Sequence, residues 1–308
     1  MLKNKKFAIL ATIFAMVLWG SAIPTIKTTY MELNIGRSDT GSQILIAGIR
    51  FFLAGLLGLI YYKKFSKEKS EKENISLKYI VILSLIQTSI QYMIYYIALS
   101  NTQGVKASII QASNSFIVVI LSFFLLPNEK IHPNTILAII LGTLGIVVVN
   151  GGFSNMGSEF NPLGEGLILI STTFNALSSI YVRKYGRNQD QFFATAAQFI
   201  LGSIPLIIIG LIMNDKTLAF TPKSVILLAY GAFISATAYV IWNQVLKIYS
   251  ANEMGMYKLF IPIFGSVFSV IFLGENFTLN LLIGLILVML GSVILNLGKK
   301  KKVRENIR

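Results

Sequence analysis

The sequence from Phe116 to Asn150 reads FIVVILSFFLLPNEKIHPNTILAIILGTLGIVVVN, and that from Pro262 to Asn296 reads PIFGSVFSVIFLGENFTLNLLIGLILVMLGSVILN. A shift of 146 positions superposes the two stretches without a gap. Four pairs then fall in register: Glu129 on Glu275, Asn134 on Asn280, Gly145 on Gly291 and Asn150 on Asn296. Each copy is an apolar span, a polar break at the Glu, and a second apolar span. A chain that repeats itself in this way inside a membrane is typical of transporters with two related halves.

The composition places the chain in a lipid bilayer. Of its 308 residues, 54% are hydrophobic and 13% are charged. It has no cysteine, hence no disulfide framework, and a single histidine, His132. The net charge of +14 would suit nucleic acid, but the excess of Lys and Arg in cytoplasmic loops of membrane proteins explains it better. We expect no nucleic-acid partner, no metal and no cofactor.

Ten membrane spans are predicted, because apolar runs of about 17–25 residues cross a bilayer as helices. They lie at about residues 7–30, 41–62, 77–98, 105–126, 134–151, 163–182, 192–212, 225–246, 255–273 and 279–297. The start of the chain resembles a signal peptide, with Lys3, Lys5 and Lys6 before an apolar core. Nine more spans follow, so we interpret it as an uncleaved first helix.

The distribution of Lys and Arg predicts the orientation. If both termini are cytoplasmic, 20 of the 27 basic residues lie in cytoplasmic segments. The other seven are Lys27, Arg37, Arg50, Lys106, Lys216, Lys223 and Lys258. This bias favours cytoplasmic N and C termini.

The predicted fold class is an all-α polytopic membrane protein of ten transmembrane helices. Five spans per half is an odd number, so the second half must be inserted upside down, as an inverted-topology repeat. We predict a first five-helix repeat at 1–152, with a cytoplasmic loop at 63–78, and a second at 153–298. A basic cytoplasmic tail at 299–308 is expected to lie against anionic headgroups.

Acidic residues inside membranes usually mark proton or ion paths, and this sequence has almost none there. Glu129 and Glu275 lie at span ends, and Glu165 begins the sixth span. For Glu129 and Glu275 we favour a cap on the following helix, near its positive end, over a role in coupling.

Arg50 is the most conspicuous charge, about ten residues into the second span. Arginine at that depth is costly unless it reaches water, a carbonyl or an anion. Two interpretations stay open: a structural Arg that bonds neighbouring helices or extends outward, and a residue that binds a substrate carboxylate or gates the path. Lys27 and Lys258 lie nearer an interface, where their ammonium groups can reach water.

Polar and aromatic residues recur at helical spacing in several spans, which is compatible with interhelical hydrogen bonds or with a shared cavity. Gln87, Gln91 and Tyr95 form one predicted stripe in the third span. The other candidates are Trp19 in the first span, Gln111 and Asn114 in the fourth, Asn175 in the sixth, Tyr239 and Trp242 in the eighth, and Tyr257 in the ninth. Taken together, they favour a substrate cavity.

Small residues and prolines also recur. Gly41, Gly48 and Gly55 follow one another every seven residues, which predicts close helix packing. Pro24 and Pro205 fall inside spans and can kink or hinge them.

The sequence resembles the drug/metabolite transporter superfamily, EamA type. The resemblance lies in VLWGSAIPTIK of the first span, GIRFFLAGLL of the second, and the paired LPNE and LGEN breaks. It runs from about Phe7 to Leu297 and implies a multi-pass carrier of the bacterial inner membrane, which often exports amino acids, other metabolites or drugs. Two positions depart from the family pattern: Phe116 replaces an expected proline, and Asn175 an aromatic residue.

We therefore expect a secondary transporter that moves a small amphipathic metabolite, such as an amino acid, by alternating access between its halves. The alternatives are a multidrug or toxic-compound exporter of the same fold and a facilitative, channel-like uniporter. An intramembrane enzyme is not expected, because no histidine and no Asp pair lie inside a span. The sequence leaves open whether the protein is a homodimer or a monomer.

Overall fold

The structure is a computed structural model, and it describes residues 3–65, 76–126, 133–151, 160–186, 189–249 and 254–305. The candidates Glu129 and His132 lie outside the described residues. In the described part of the chain, seven helices are long and apolar enough to cross a membrane, and three shorter apolar helices accompany them.

Ten helical spans, named α1 to α10, follow the predicted order. They are α1 (Lys5–Glu32), α2 (Thr40–Phe65), α3 (Leu77–Ser100), α4 (Gly104–Leu125), α5 (Pro133–Val149), α6 (Pro162–Tyr185), α7 (Gln191–Met213), α8 (Pro222–Ile248), α9 (Gly255–Leu259 continued by Phe260–Leu273) and α10 (Leu279–Glu305). We call the face where α1 begins the terminal face, and the face where it ends the distal face.

The helix starts follow local chemistry. The Asn4 side chain accepts the N–H of Lys6 at 3.0 Å, which satisfies a donor that the first turn leaves unpaired. Thr221 and Ser224 form a capping box around Pro222, which fits the first turn because it has no N–H to satisfy. Sequence signals of this kind explain why the predicted and observed starts of the helices agree within a few residues.

Among the helix ends, that of α10 differs most from the prediction. It was predicted to end near residue 297, with a separate tail from 299, but the helix continues to Glu305. Lys and Arg are good helix formers, so a basic segment can extend a helix beyond the apolar run that crosses the bilayer.

The packing of the helices follows a two-fold pattern. The pairs α2–α7, α4–α9 and α5–α10 are in contact, and each joins a helix to its counterpart five positions later. In addition, α1 packs on α8 and α9, and correspondingly α6 packs on α3 and α4. If every helix in these pairs is replaced by its counterpart in the other half, the same set of contacts results. Because each half has an odd number of helices, each helix crosses the membrane in the direction opposite to its counterpart. The predicted fold of two inverted five-helix repeats is confirmed.

Close packing depends on glycine, as the seven-residue spacing predicted. A Cβ on Gly41 would lie 2.3 Å from the carbonyl carbon of Met213, and one on Gly55 would lie 2.5 Å from the Ile200 side chain. Across α5 and α10, a Cβ on Gly145 or Gly284 would lie 2.8 Å from the other's carbonyl oxygen. Large apolar side chains instead cover the outer surface, for example Ile212, which is 79% exposed and suits contact with lipid.

Four spans depart from regular α-helix, and one of them is α6, which begins with the π-helical segment Pro162–Gly166. In α3 the segment Ser84–Ile90 is π-helical, and α9 begins as a 3₁₀ turn. In α4 the α-helix stops at Gln111 and resumes at Asn114. Pro24 and Pro205 do not interrupt their spans, because α1 and α7 run through them.

The break in α4 occurs although Phe116 stands where a proline was expected. The Phe116 N–H bonds to the Ser113 carbonyl at 2.9 Å, three residues back instead of four. The hydroxyl of Ser115 donates to the Ala112 carbonyl at 3.1 Å, the acceptor that a regular helix would give to Phe116. A side-chain hydroxyl thus occupies the acceptor that a proline would leave without its helical donor.

Candidate functional site

An amide cluster joins α3 and α4 of the first half to α6 of the second. The Asn175 amide donates to Gln91 Oε1 at 3.2 Å and accepts from the Asn114 amide at 2.9 Å. The Tyr95 hydroxyl donates to Gln111 Oε1 at 3.2 Å. Gln91 and Tyr95 are 2% and 4% exposed, so these contacts satisfy polar groups that the bilayer would otherwise leave unpaired.

An aromatic cluster lies between α1, α3 and α8. The Trp19 ring meets Tyr239 edge-on at 5.3 Å between centroids and Trp242 at 6.3 Å. Gln87 Nε2 lies 3.4 Å from the Tyr239 hydroxyl, a long hydrogen bond. Tyr92 joins this cluster through a series of ring contacts, since Phe51 lies 4.0 Å from Tyr92 and 5.3 Å from Phe199, and Phe199 lies 5.4 Å from Tyr239 between centroids.

The predicted stripe Gln87, Gln91 and Tyr95 is divided in the structure. Gln87 contacts α8, whereas Gln91 contacts α6 and Tyr95 contacts α4. The π-helical segment Ser84–Ile90 contains Gln87 but neither Gln91 nor Tyr95, and its wider turn changes the angle between Gln87 and the residues that follow. A spacing of four residues places side chains on one face only in regular α-helix.

Arg50 is deeply buried, with 4% of its surface exposed. Its Nη1 donates to the Tyr96 hydroxyl at 3.0 Å and its Nη2 to the Ser235 hydroxyl at 3.1 Å, while Nε has no partner in the described structure. Gly231 makes room for the side chain, since a Cβ there would lie 3.0 Å from Nε. The residue therefore bridges α2, α3 and α8 through neutral partners.

Glu275 is a helix cap, but the prediction named the wrong helix. Its carboxylate accepts the N–H groups of Gly104 and Val105 at 2.7 and 2.8 Å, at the start of α4, instead of capping α10, which follows it. The chain between α9 and α10 therefore reaches the other half of the protein. Lys27 lies 3.8 Å from the same carboxylate and donates to the carbonyls of Leu99 and Thr102.

A second carboxylate, that of Glu165, joins the two halves of the protein beside Glu275. Glu165, which is 3% exposed, accepts the Thr102 hydroxyl and the Asn161 N–H. The Asn161 amide donates to the Asn101 carbonyl at 2.9 Å. We call the set Lys27, Thr102, Gly104, Glu165 and Glu275 the distal latch, because it ties α1 and the α3–α4 turn to α6 and the α9–α10 turn.

The remaining candidates lie near the aromatic cluster. Tyr257, at the start of α9, is half-buried in the apolar cluster that includes Trp19 and Trp242. Lys258 Nζ lies 4.7 Å from the Trp242 ring, a cation–π contact. Lys258 is exposed and Lys27 is partly exposed, which fits the expectation that both ammonium groups can reach water.

Sequence reasoning missed Tyr92, Thr102 and the cross-half bonds of Glu165. Tyr92 lies between two polar stripes and was obscured by the run of aromatic residues around it. Thr102 lies in the short turn SNTQG, which carries no charge to attract notice. The bond between Thr102 and Glu165 forms only where the two halves approach each other.

The site offers amides, tyrosine hydroxyls, indole faces and one buried cation. Such a surface can stack on an apolar group, hydrogen-bond a polar head and interact with an anionic group. Because each cluster draws residues from both halves, movement of one half against the other would change its shape.

Comparison with known proteins places these features in a family. Residues 6–151 and 162–297 each match the model of the EamA-like transporter family. An uncharacterized transporter of Clostridium kluyveri is 24% identical, over 82% of this chain and 83% of its own. The uncharacterized transporter YvbV of Bacillus subtilis is 26% identical, over 93% and 90%.

Two further likenesses extend the comparison. A chloroplastic WAT1-related protein of Arabidopsis thaliana is 25% identical, over 90% of this chain and 66% of its own. A solved crystal structure superposes with a TM-score of 0.67 at 16% identity, and the match covers 97% of this chain and 99% of that one. This last likeness shows a common fold.

Proposed function

Because the chain belongs to the EamA-like transporter family, we propose that it moves a small amphipathic metabolite, such as an amino acid, across the bacterial inner membrane by alternating access. Export is the proposed direction. The transported compound would occupy the space between the amide and aromatic clusters, about midway along the helices.

The observation that carries this proposal is the composition of the two clusters. Trp19 of the first half contacts Tyr239 and Trp242 of the second, and Gln91 of the first contacts Asn175 of the second. A site assembled from both halves is reshaped when the halves move, which is what alternating access requires. A site within one half would not couple binding to opening.

The distal latch supports the same mechanism. Its bonds cross between the halves at one face, so the distal path can open only when Glu275 leaves Gly104 and Glu165 leaves Thr102. We propose that a bound metabolite shifts the equilibrium between the latched state and a state in which these bonds are broken. A ligand can do so only if it binds one state more tightly than the other.

The proposed orientation follows from the basic residues, with both termini and the 63–78 loop in the cytoplasm. The terminal face is then cytoplasmic, and the distal latch faces away from the cytoplasm. We also propose that the repeats divide near residue 152.

The test is reconstitution of the purified protein into liposomes with a metabolite panel. Metabolites that stabilise the protein against heat are chosen first, since stabilisation follows RT ln(1 + [L]/Kd) and reaches about 2.7 kcal/mol at a hundredfold excess over Kd. Saturable counterflow of a stabilising compound is expected. Flux that does not saturate would replace the carrier with the channel-like alternative, and the absence of any flux across the panel would overturn the proposal.

A further inference from the structure

We infer that the transported compound is an organic anion whose carboxylate is recognised through Arg50, and that a positively charged amine contributes little to its recognition. This inference rests on the proposed function and adds the chemical class of the substrate. It also separates the metabolite carrier from an exporter of cationic drugs.

The first observation is that Arg50 is an incompletely satisfied cation. A guanidinium carries five N–H donors in a planar fork. Only two hydrogen bonds, to the hydroxyls of Tyr96 and Ser235, are found for it in the described residues, and its buried Nε has none. No carboxylate forms an ion pair with it in that part of the chain. A buried charge with neutral partners alone is a site at which an anion is favoured.

The second observation is where the guanidinium lies. Tyr92 precedes Tyr96 by one helical turn in α3, and Tyr239 follows Ser235 by one turn in α8. The two residues that bond Arg50 are therefore one turn on the distal side of Tyr92 and Tyr239. Arg50 thus lies at the distal end of the aromatic cluster.

A series of aromatic rings leads from the residue next to Arg50 to the aromatic cluster. Phe51, next to Arg50 in the chain, lies 4.0 Å from Tyr92 between ring centroids and 5.3 Å from Phe199. Phe199 in turn lies 5.4 Å from Tyr239. A compound with its apolar part among Trp19, Tyr239 and Trp242 would have its head toward Tyr92 and the guanidinium.

The third observation is the distribution of acidic residues. In the part of the chain that the structure describes, every Asp and Glu lies in a connecting segment or within about a turn of a span end, so none of these faces the middle of the site. The second cation at the aromatic cluster, Lys258, stacks on Trp242. With the Arg50 guanidinium at the cluster and no carboxylate of the described residues beside it, an ammonium group would find no counter-charge there, whereas a carboxylate would find a forked donor.

The experiment compares matched compounds that share one tail. For a phenyl tail they are 3-phenylpropanoate, 3-phenylpropanamide, L-phenylalanine and 2-phenylethylamine, and the series is repeated with isobutyl and short linear tails. Thermal stabilisation of the purified protein is measured first, and uptake of the stabilising acids into liposomes second. At least one acid is expected to bind tenfold or more tightly than its amide, and its amino-acid counterpart within about threefold of the acid. Equal binding of acid and amide, preference for the amine, or no binding by any acid would overturn the inference.

Variants assign the preference to Arg50. Arg50→Gln is expected to lose the tenfold preference for acid over amide, and Arg50→Lys to retain part of it, because lysine keeps the charge without the fork. The control Arg37→Gln removes an exposed guanidinium in the α1–α2 turn and should leave the preference unchanged. An acid preference that persists in folded Arg50→Gln would contradict the role of Arg50.

The remaining outcomes distinguish failure of the inference from failure of the proposed function. If Arg50→Gln does not fold, Ser235→Ala serves instead, because it frees a guanidinium donor and should strengthen acid binding; unchanged or weaker acid binding in the folded variant would contradict the inference. If the wild type carries only neutral or cationic compounds by saturable counterflow, the proposed transport stands and the inference fails. If it carries nothing from any panel, the proposed function itself fails.

Discussion

The carboxylate of Glu275 accepts the backbone N–H of Gly104 at 2.7 Å, although the two residues are 171 positions apart and belong to different halves of the protein. The start of a helix carries unpaired N–H groups and a partial positive charge, which a carboxylate satisfies. Here the carboxylate comes from the turn between α9 and α10, and the helix is α4. Helix capping and closure of the distal face are therefore the same contact.

Glu275→Gln is expected to lower thermal stability, because the amide keeps one acceptor oxygen but loses the charge that strengthens both hydrogen bonds. We expect a cost of about 1.5–3 kcal/mol, the range for hydrogen bonds to charged groups, seen as a lower melting temperature. The pH profile of transport should keep its shape. Asp215→Asn, an exposed carboxylate on the same face, is the matched control. Loss of pH-dependent uptake in a folded, exchanging Glu275→Gln protein would assign the carboxylate to proton coupling instead.

Asn175→Ala is expected to destabilise the protein, because it removes the shared partner of Gln91 and Asn114. An unsatisfied buried polar group costs about 1–3 kcal/mol. The double variant with Asn175→Ala and Asn114→Ala should lose less stability than the two single variants lose together. The reason is that each single change already removes the same hydrogen bond, the one between these two residues. Chemical or thermal denaturation of the four proteins gives this coupling, and strict additivity would mean that the amides do not interact.

Gln87→Ala is expected to behave differently from Gln91→Ala. Among the described residues, the side chain of Gln87 makes one hydrogen bond, a long contact of 3.4 Å with Tyr239 at the aromatic cluster, so its loss should leave the melting temperature nearly unchanged and weaken substrate binding. Gln91→Ala should lower both. Melting temperature and affinity are measured on the same preparations. A folded Gln87→Ala protein with unaltered affinity would place Gln87 outside the substrate site.

Gly41→Ala is expected to be poorly tolerated, because the new methyl group would lie 2.3 Å from the backbone of Met213, which cannot rotate away. Overpacking of this kind costs about 1–3 kcal/mol. Gly36→Ala, where the nearest atom is a side-chain oxygen at 3.5 Å, is the control and should be neutral. Equal melting temperatures for the two variants would show that α2 and α7 are packed less closely than described.

The orientation can be tested with single cysteines, because the chain has none of its own. Asn155→Cys and Asp215→Cys should react with a membrane-impermeant thiol reagent in intact cells, and Ser70→Cys only after lysis. Labelling of Ser70→Cys in intact cells would reverse the assignment of the terminal face to the cytoplasm.

The sequence alone determined the ten helices, their order and the two-fold relation of the halves. These depend on the length of apolar runs, on turn residues between them and on the repeated pattern at Glu129 and Glu275, all of which are local properties or simple repetition. The resemblance in the first two spans also led to the family. The seven-residue spacing of Gly41, Gly48 and Gly55 was enough to predict close packing, because glycine serves the same purpose in many membrane helices.

Which side chains meet depends on the tertiary structure. Gln87 lies in a π-helical segment of α3 and contacts α8, the α9–α10 turn brings Glu275 to α4, and the packing of α2 against α8 places Arg50 beside Ser235. Each outcome depends on how far a helix is rotated and on which helix of the other half approaches it. That information is spread over all the helix contacts, so no stretch of sequence around the residue itself contains it.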